Sequence, residues 1–310
     1  MRIATALILA IISLLSLELF LPNPVHLASQ SEKITCAQQI SVEKDFQVNL
    51  RTPGINLPAK KTEDLYGQDA LAKSVCLEFK KDVWITEIIP QIINGPAELL
   101  HHGEILYKNQ KDDQCKTDKM FYTYAKEQVR FKIPEGYGYF IPKGTLVYSA
   151  PSGLHFRNDT QTSFRDVSYT INLKGTADSS RKLNKLEIFW LNVECSEEKE
   201  LIFPLPPKQK YQLSLKEQYV APIDFKIIMF GGHLHDFGRK LDFKINGQIN
   251  ATLIPETDNL GRVLSMPIFY FDKDPIIIKR GDSLDIEVTY DNPTDKIQEG
   301  MGIFGALIQR

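Results

Sequence analysis

The chain has no basic stripe. Its 37 Lys and Arg are scattered among 39 Asp and Glu, for a net charge of −2. That balance argues against a polyanionic partner, and no nucleic acid is expected. There is no CxxC pair, so the four cysteines, Cys36, Cys76, Cys115 and Cys195, stand singly. Free thiols or metal ligands are the weaker reading of such spacing, and disulfides the stronger. No cysteine lies beyond Cys195, so the C-terminal part of the chain must hold together by packing. No long helical periodicity occurs outside the N-terminal segment. Histidine is also scarce: there are six in 310 residues.

The N-terminus reads as an export signal. Arg2 supplies a short positive region, and Ala4 to Leu17 is an uninterrupted apolar or small run. Leu27-Ala28-Ser29 offers a cleavage zone, which sets the signal at residues 1–31. The rival is an uncleaved anchor, because apolar character continues to Leu21; Glu18 interrupts it, and its length is at the short edge of a membrane span. With the signal removed no stable membrane span is expected. No cysteine follows the run at lipoprotein spacing. The expectation is therefore a secreted, periplasmic or otherwise extracytoplasmic protein, where disulfides persist.

Strand signals dominate the rest. Val83 to Ile89, Val129 to Ile133 and Leu186 to Trp190 are short β-branched or aromatic runs bounded by Gly, Pro and Asn. Lys240 to Ile245, then Asn246-Gly247, then Gln248 to Ile254 reads as a hairpin with a type I′ turn. Leu284 to Tyr290 alternates as a strand with one buried face should. Glu63 to Phe79 is the one stretch that suggests a short helix, centred on Asp69 to Lys73. The fold expected is all-β: two consecutive antiparallel β-sandwiches of jelly-roll type. The charged run Ser196 to Glu200 and the prolines Pro204, Pro206 and Pro207 mark the boundary, since proline cannot donate to a central ladder. The expected domains are residues 32–200 and 201–310.

Five of the six histidines fall into a pattern: His101-His102, His155, and His233-Leu234-His235, with Met301 much later. His233 and His235 are two residues apart, so on a strand both imidazoles face one side. Met301 would add a thioether, a soft ligand that selects for Cu(I). Taken singly, an HxH pair occurs on surface strands by accident, and a lone Met is usually core. His101 and His102 are adjacent, so a regular strand would face them in opposite directions. They share one ion only if the backbone bulges or turns, or if they use different ring nitrogens. His155 would complete three imidazoles, a set that catalytic zinc also uses. A lone histidine is more commonly a hydrogen-bonded loop residue.

The order HH, H, HxH, M resembles that of the copper type II, ascorbate-dependent monooxygenases. That family includes peptidylglycine α-hydroxylating monooxygenase and dopamine β-monooxygenase. The similarity covers the chain from about Cys36 to the end and fills all six ligand positions. It extends to His101-His102-Gly103 before an apolar strand, Leu154-His155-Phe156 before a polar turn, and Gly281-Asp282 and Val288-Thr289-Tyr290 ahead of Met301. The resemblance implies two coppers per chain. The first, on His101, His102 and His155, would store and deliver an electron. The second, on His233, His235 and Met301, would be the catalytic one. O₂ and a one-electron reductant such as ascorbate would be the co-reactants. It also implies the disulfides Cys76–Cys115 and Cys36–Cys195.

The chain departs from the family in three places. The residue after the methionine is usually Cys, and here it is Gly302. Peptide-amidating members place an Arg two residues before HxH, where this chain has Gly231. They place Asn and Tyr two and four residues after the methionine, where this chain has Ile303 and Gly305. The clamp for a peptide carboxylate is missing, and the substrate, small molecule or peptide, is left unknown. A non-catalytic exported copper-binding or copper-handling protein on the same fold is the alternative. A jelly-roll binding module with structural zinc or no metal is a third reading. Two Asn-x-Thr sequons, at Asn158 and Asn250, read as chance.

Overall fold

In a computed structural model, the protein is described over residues 38–57, 75–96, 99–112, 118–125, 131–154, 162–194 and 201–310. Strands are numbered in chain order. The first sheet orders β1 (Gln38–Ile40), β4 (Val75–Phe79), β10 (Leu146–Leu154), β6 (Leu100–Lys111) and β7 (Asp118–Ala125). The main sheet runs β2 (Asp45–Arg51), β11 (Phe164–Thr176), β5 (Val83–Ile93), β9 (Tyr137–Ile141), β12 (Asn184–Asn192), β25 (Gly302–Gln309), β16 (Phe225–Leu234) and β21 (Ile268–Tyr270). Three short strands join its flanks: β3 (Ile55–Leu57) on β11, β8 (Phe131–Lys132) on β5 and β22 (Ile276–Ile278) on β16.

A third sheet orders β14 (Gln209–Ser214), β23 (Ser283–Asn292), β17 (Gly238–Ile245) and β18 (Gln248–Leu253), with β15 (Tyr219–Val220) also on β23. Two small ribbons pair β13 (Phe203–Leu205) with β24 (Gln298–Gly300), and β19 (Glu256–Thr257) with β20 (Val263–Ser265). The protein is all-β. Among the described residues no helix is long and apolar enough to cross a membrane.

The sequence explains the strands. In β23 burial alternates residue by residue, with Leu284, Ile286, Val288 and Tyr290 all at 0% exposure. The β17–β18 hairpin turns on Asn246 (φ 51°) and Gly247 (φ 76°), the positive pair that a type I′ turn requires. Val75–Phe79, the end of the stretch in which a short helix is expected around Asp69 to Lys73, is strand β4 and buries Leu77 and Phe79. The centre of that expected helix and the N-terminal signal lie outside the described residues.

The prolines near residue 205 sit where strand chemistry allows them. Pro204 pairs with Glu299 in the two-stranded β13–β24 ribbon, away from any central ladder. Asn292, buried, ties this segment down by donating from Nδ2 to the carbonyls of Leu205, Pro206 and Lys296.

Two hydrophobic cores fill the fold. The first is built mainly from residues before 190, and the second from residues after 188. They exchange members: Ile228, Met229 and Leu307 belong to the first, whereas Phe189, Leu191 and Val193 belong to the second. The expected division near residue 200 does not interrupt the main sheet. β12 pairs with β25 over six residues, from Glu187 with Ile308 to Asn192 with Ile303. Residues 35–310 group as one compact unit. The second core is rich in aromatic contacts, with Phe243 and Phe304 stacked at 4.2 Å and 9°. Such pairing stabilises beyond simple area burial, in the part of the chain that has no cysteine.

Candidate metal centre

A bulge decides which face of β16 carries His233. The register against β25 shifts between Ile227 and Met229, so Ile228 is an extra residue. One extra residue reverses the facing of everything after it. Phe225 and Ile227 precede it and face the second core; Phe230 and Leu234 follow it and face the same core. Met229, Gly231 and His233 are thereby turned to the opposite face, the one on which β25 carries Ile303, Gly305 and Leu307.

His233 pairs with Ile303 and Leu234 with Gly302. The next step of that register sets His235 across from Met301. The two imidazoles lie with ring centres 5.3 Å apart and planes at 86°. With metal–nitrogen distances of about 2.0–2.1 Å, two imidazoles on one tetrahedral ion have ring centres about 5.2 Å apart. The spacing therefore suits a shared ion. Both Nε2 atoms are closed off from solvent. Met301 is 6% exposed and His235 7%. The donor set of two nitrogens and a thioether sulfur fits copper better than a hard cation.

Tyr290 holds the end of this ladder. Its hydroxyl accepts the His235 amide proton at 3.0 Å and the Met301 amide proton at 3.3 Å, and it donates to the Met301 carbonyl. One donor and two acceptor positions are all used. Burial pushes the Tyr290 phenol well above its ordinary range, so the proton needed for donation stays in place. Phe203 packs edge-on against the ring at 5.6 Å.

The turn after His235 is equally constrained. Phe237 sits at φ 70°, a strained position for a bulky residue. Its amide donates to Gly261 at 2.8 Å, and its carbonyl accepts from Asp291 at 3.0 Å. Asp236 Oδ1 accepts the Val263 amide at 3.0 Å. Gly238 donates to the His235 carbonyl at 3.1 Å. Strain held this firmly next to potential ligands is what a functional site exhibits.

Gly302 has a steric reason. A Cβ built there would meet Val288 Cγ1 at 2.6 Å and Val193 Cγ2 at 3.0 Å. The cysteine that the resemblance leads one to expect at this position has no room.

The first candidate set is only partly described. His101 and His102 lie on β6, and His155 lies outside the described residues. Leu100 pairs with Leu154 and His102 with Ser152, in one register without a shift. The backbone thus shows no bulge at the doublet, and the β10 strand brings the chain to the residue before His155 opposite the residue before His101. Among the described residues no three His, Cys, Asp or Glu side chains converge on a point. A site of two His and one Met is not of that kind. Cys76, on β4, is disulfide-bonded; Cys36, Cys115 and Cys195 lie outside the described residues.

No protein-family model matches the chain, and no curated protein is similar to it in sequence. Several solved structures overlap it loosely. The major capsid protein P2 of bacteriophage PM2 is 8% identical, over 84% of this chain and 98% of that one, at a TM-score of 0.39. The STIV MCP is 8% identical over 86% and 96%, at 0.36. PNGase F, a glycosylasparaginase from Flavobacterium meningosepticum, is 10% identical over 86% and 96%, at 0.37. None of the three is described as a copper protein, and overlaps this loose do not speak to activity.

Proposed function

We propose that the protein is an exported dicopper monooxygenase that hydroxylates a substrate C–H bond. The balance is R–H plus O₂, two electrons and two protons giving R–OH and water, with ascorbate or a similar one-electron donor as reductant. What supports the reading is that His233 and His235, with ring centres 5.3 Å apart, stand at the end of the β16–β25 ladder where the register runs on to Met301, the residues that the HH, H, HxH, M order singles out.

In this reading His233, His235 and Met301 hold the catalytic copper, and His101, His102 and His155 hold a second. Bound copper supplies one-electron redox chemistry and a position for O₂. The protein's own residues do the rest. The imidazoles bind in the neutral form, so acid opposes loading. The Met301 thioether favours the reduced ion. Tyr290 fixes the backbone of two of the ligands, and the apolar Ile303 beside His233 limits water.

The test is copper content by elemental analysis of the purified protein, before and after ascorbate. Two coppers per chain, retained on reduction, support the proposal. Zinc, or no metal that can be reloaded, overturns it. A second reading is a copper-binding or copper-handling protein without turnover. It draws on Gly231, Ile303 and Gly305, which leave no polar substrate clamp. O₂ consumption with ascorbate across a substrate panel separates the two.

A further inference from the structure

The second core ends at a flank whose outside is apolar. β18 is the last strand of the third sheet, and β21 and β22 are the last strands on the β16 side of the main sheet. They lie on the same flank. A Cβ built on Gly232 of β16 would meet Leu253 of β18 at 3.2 Å and Met266, just ahead of β21, at 3.1 Å. Phe230 of β16 packs against Phe269 of β21 at 5.2 Å. The β19–β20 ribbon connects the two sheets along this flank.

Among the described residues ten large apolar side chains are exposed, and six of them follow this flank: Ile254, Leu260, Leu264, Phe269, Tyr270 and Ile277, each 37–65% exposed. Strand pairing sets their order. Ile277 stands opposite Lys226 near the start of β16, and Tyr270 and Phe269 stand opposite Met229 and Phe230. Leu264 is the extra residue of a bulge in the ribbon, where Glu256 pairs with Ser265 and Thr257 with Val263. Leu260 precedes Gly261, whose carbonyl takes the amide proton of Phe237 at 2.8 Å. From Lys226 to Phe237 the stripe runs about 35 Å.

Single exposed leucines need no explanation, but a patch of this size does. At roughly 200 Å² for a fully open side chain of this kind, the six leave on the order of 600 Å² uncovered. That is at the top of what a monomer ordinarily shows, and most of the roughly 800 Å² that each partner gives a standard interface. The backbone is open as well. Among the described residues β21 and β22 pair only with β16, and β18 only with β17. Sheet edges are commonly guarded by charge. The edge strand β2 carries Asp45 and Arg51, β7 carries Lys119 and β14 carries Lys210, whereas β18, β20, β21 and β22 contain no charged residue. An uncharged edge can meet a copy of itself across a two-fold axis without opposing like charges. A lipid surface fits less well, because Asp272 and Asp274 are exposed between β21 and β22 and would have to be desolvated.

We propose that this flank is a dimer interface: a second copy of the chain packs on it about a two-fold axis, edge strand antiparallel to edge strand. The inference goes beyond the monooxygenase reading and does not depend on it. Sedimentation velocity of the purified mature protein from about 1 to 100 μM should show a reversible two-chain species. Leu264→Lys and Ile277→Lys, both at exposed positions, should each raise its dissociation constant more than about tenfold and leave thermal unfolding at the monomeric end of the range unchanged. Val220→Lys and Ile297→Lys, at exposed apolar positions off the flank, should leave the dissociation constant within about twofold. Amides 268–270 and 276–278 should exchange more slowly at the dimeric than at the monomeric end. A monomer throughout, an assembly of more than two chains, a dimer that both flank variants keep or that Val220→Lys also dissolves, or a monomer that cosediments with phosphatidylcholine vesicles overturns the proposal.

Discussion

The buried hydroxyl of Tyr290 donates to the carbonyl of Met301, and in doing so fills the place where the β16–β25 ladder would otherwise continue. The same oxygen takes the His235 amide proton. Two candidate ligands that are 66 positions apart in the sequence are thus held by a third residue on another sheet.

Tyr290→Phe removes that hydroxyl and leaves a buried amide and carbonyl to find other partners. A loss of about 1–3 kcal/mol of stability is expected. Copper affinity at the His233, His235, Met301 site should fall about 10- to 100-fold, as when a supporting residue behind a metal ligand is lost. Urea unfolding and copper titration of the variant check both, and unchanged affinity would show that the tie does not position the ligands.

Met301→Ala should abolish hydroxylation and leave roughly one copper per chain, since the other three ligands named are elsewhere in the fold. The buried side chain also contributes to packing, so about 2–5 kcal/mol of stability should be lost. Elemental analysis distinguishes this from loss of both coppers, which would mean that the two sites are not independent.

Gly302→Cys restores the residue that the resemblance leads one to expect, and it should be harmful here. Val288 and Val193 occupy the space. Overpacking of this kind typically destabilises by about 1–3 kcal/mol, readable as a lower midpoint of thermal unfolding. A neutral or raised midpoint would show that β23 can give way.

The Cys76 disulfide is expected to join Cys115, by the resemblance that also pairs Cys36 with Cys195. Peptide mapping under non-reducing conditions identifies the partner directly. Cys76→Ser should destabilise by about 2–5 kcal/mol, and a Cys76–Cys36 or Cys76–Cys195 peptide would refute the pairing.

Glu287 gives a pH-dependent contribution. The hydrogen bond from Lys244 Nζ, at 2.9 Å, holds its carboxyl below the usual range against the opposing effect of burial. A lowered folded-state value means that the stabilisation is present above the unfolded carboxylate value and is lost as pH falls through the folded one. Glu287→Gln should therefore be less stable than the native protein near neutrality by at most about 1 kcal/mol. That difference should vanish in strong acid, as guanidinium unfolding at several pH values would reveal.

Much of the architecture is legible in the residues. The Asn246-Gly247 turn, the alternation of β23 and the β-branched run from Val83 are local patterns, and local patterns fix local structure. The pairing of His233 with His235 on one side also follows from spacing alone. The short helix expected around Asp69 to Lys73 lies outside the described residues, and the end of that stretch, Val75–Phe79, is a strand that buries Leu77 and Phe79. Tyr290 carried no sequence signal of its role. It looks like one more buried position of an alternating strand, and its hydroxyl acquires partners only from residues on another sheet.

The sequence by itself determined that the chain is all-β, where its clearest turns fall, and which few histidines and which methionine are candidates to bind metal. These follow from side-chain period, from backbone preference and from the scarcity of histidine. Only the tertiary structure decided that the sheet continues across the expected boundary through β12 and β25. It alone decided that one bulged residue, Ile228, turns His233 onto the face of Ile303 and Gly305, and that Gly231 meets Gly305 there. Register and bulges are set by the burial of whole strands against two cores, a non-local balance that no short stretch of sequence contains.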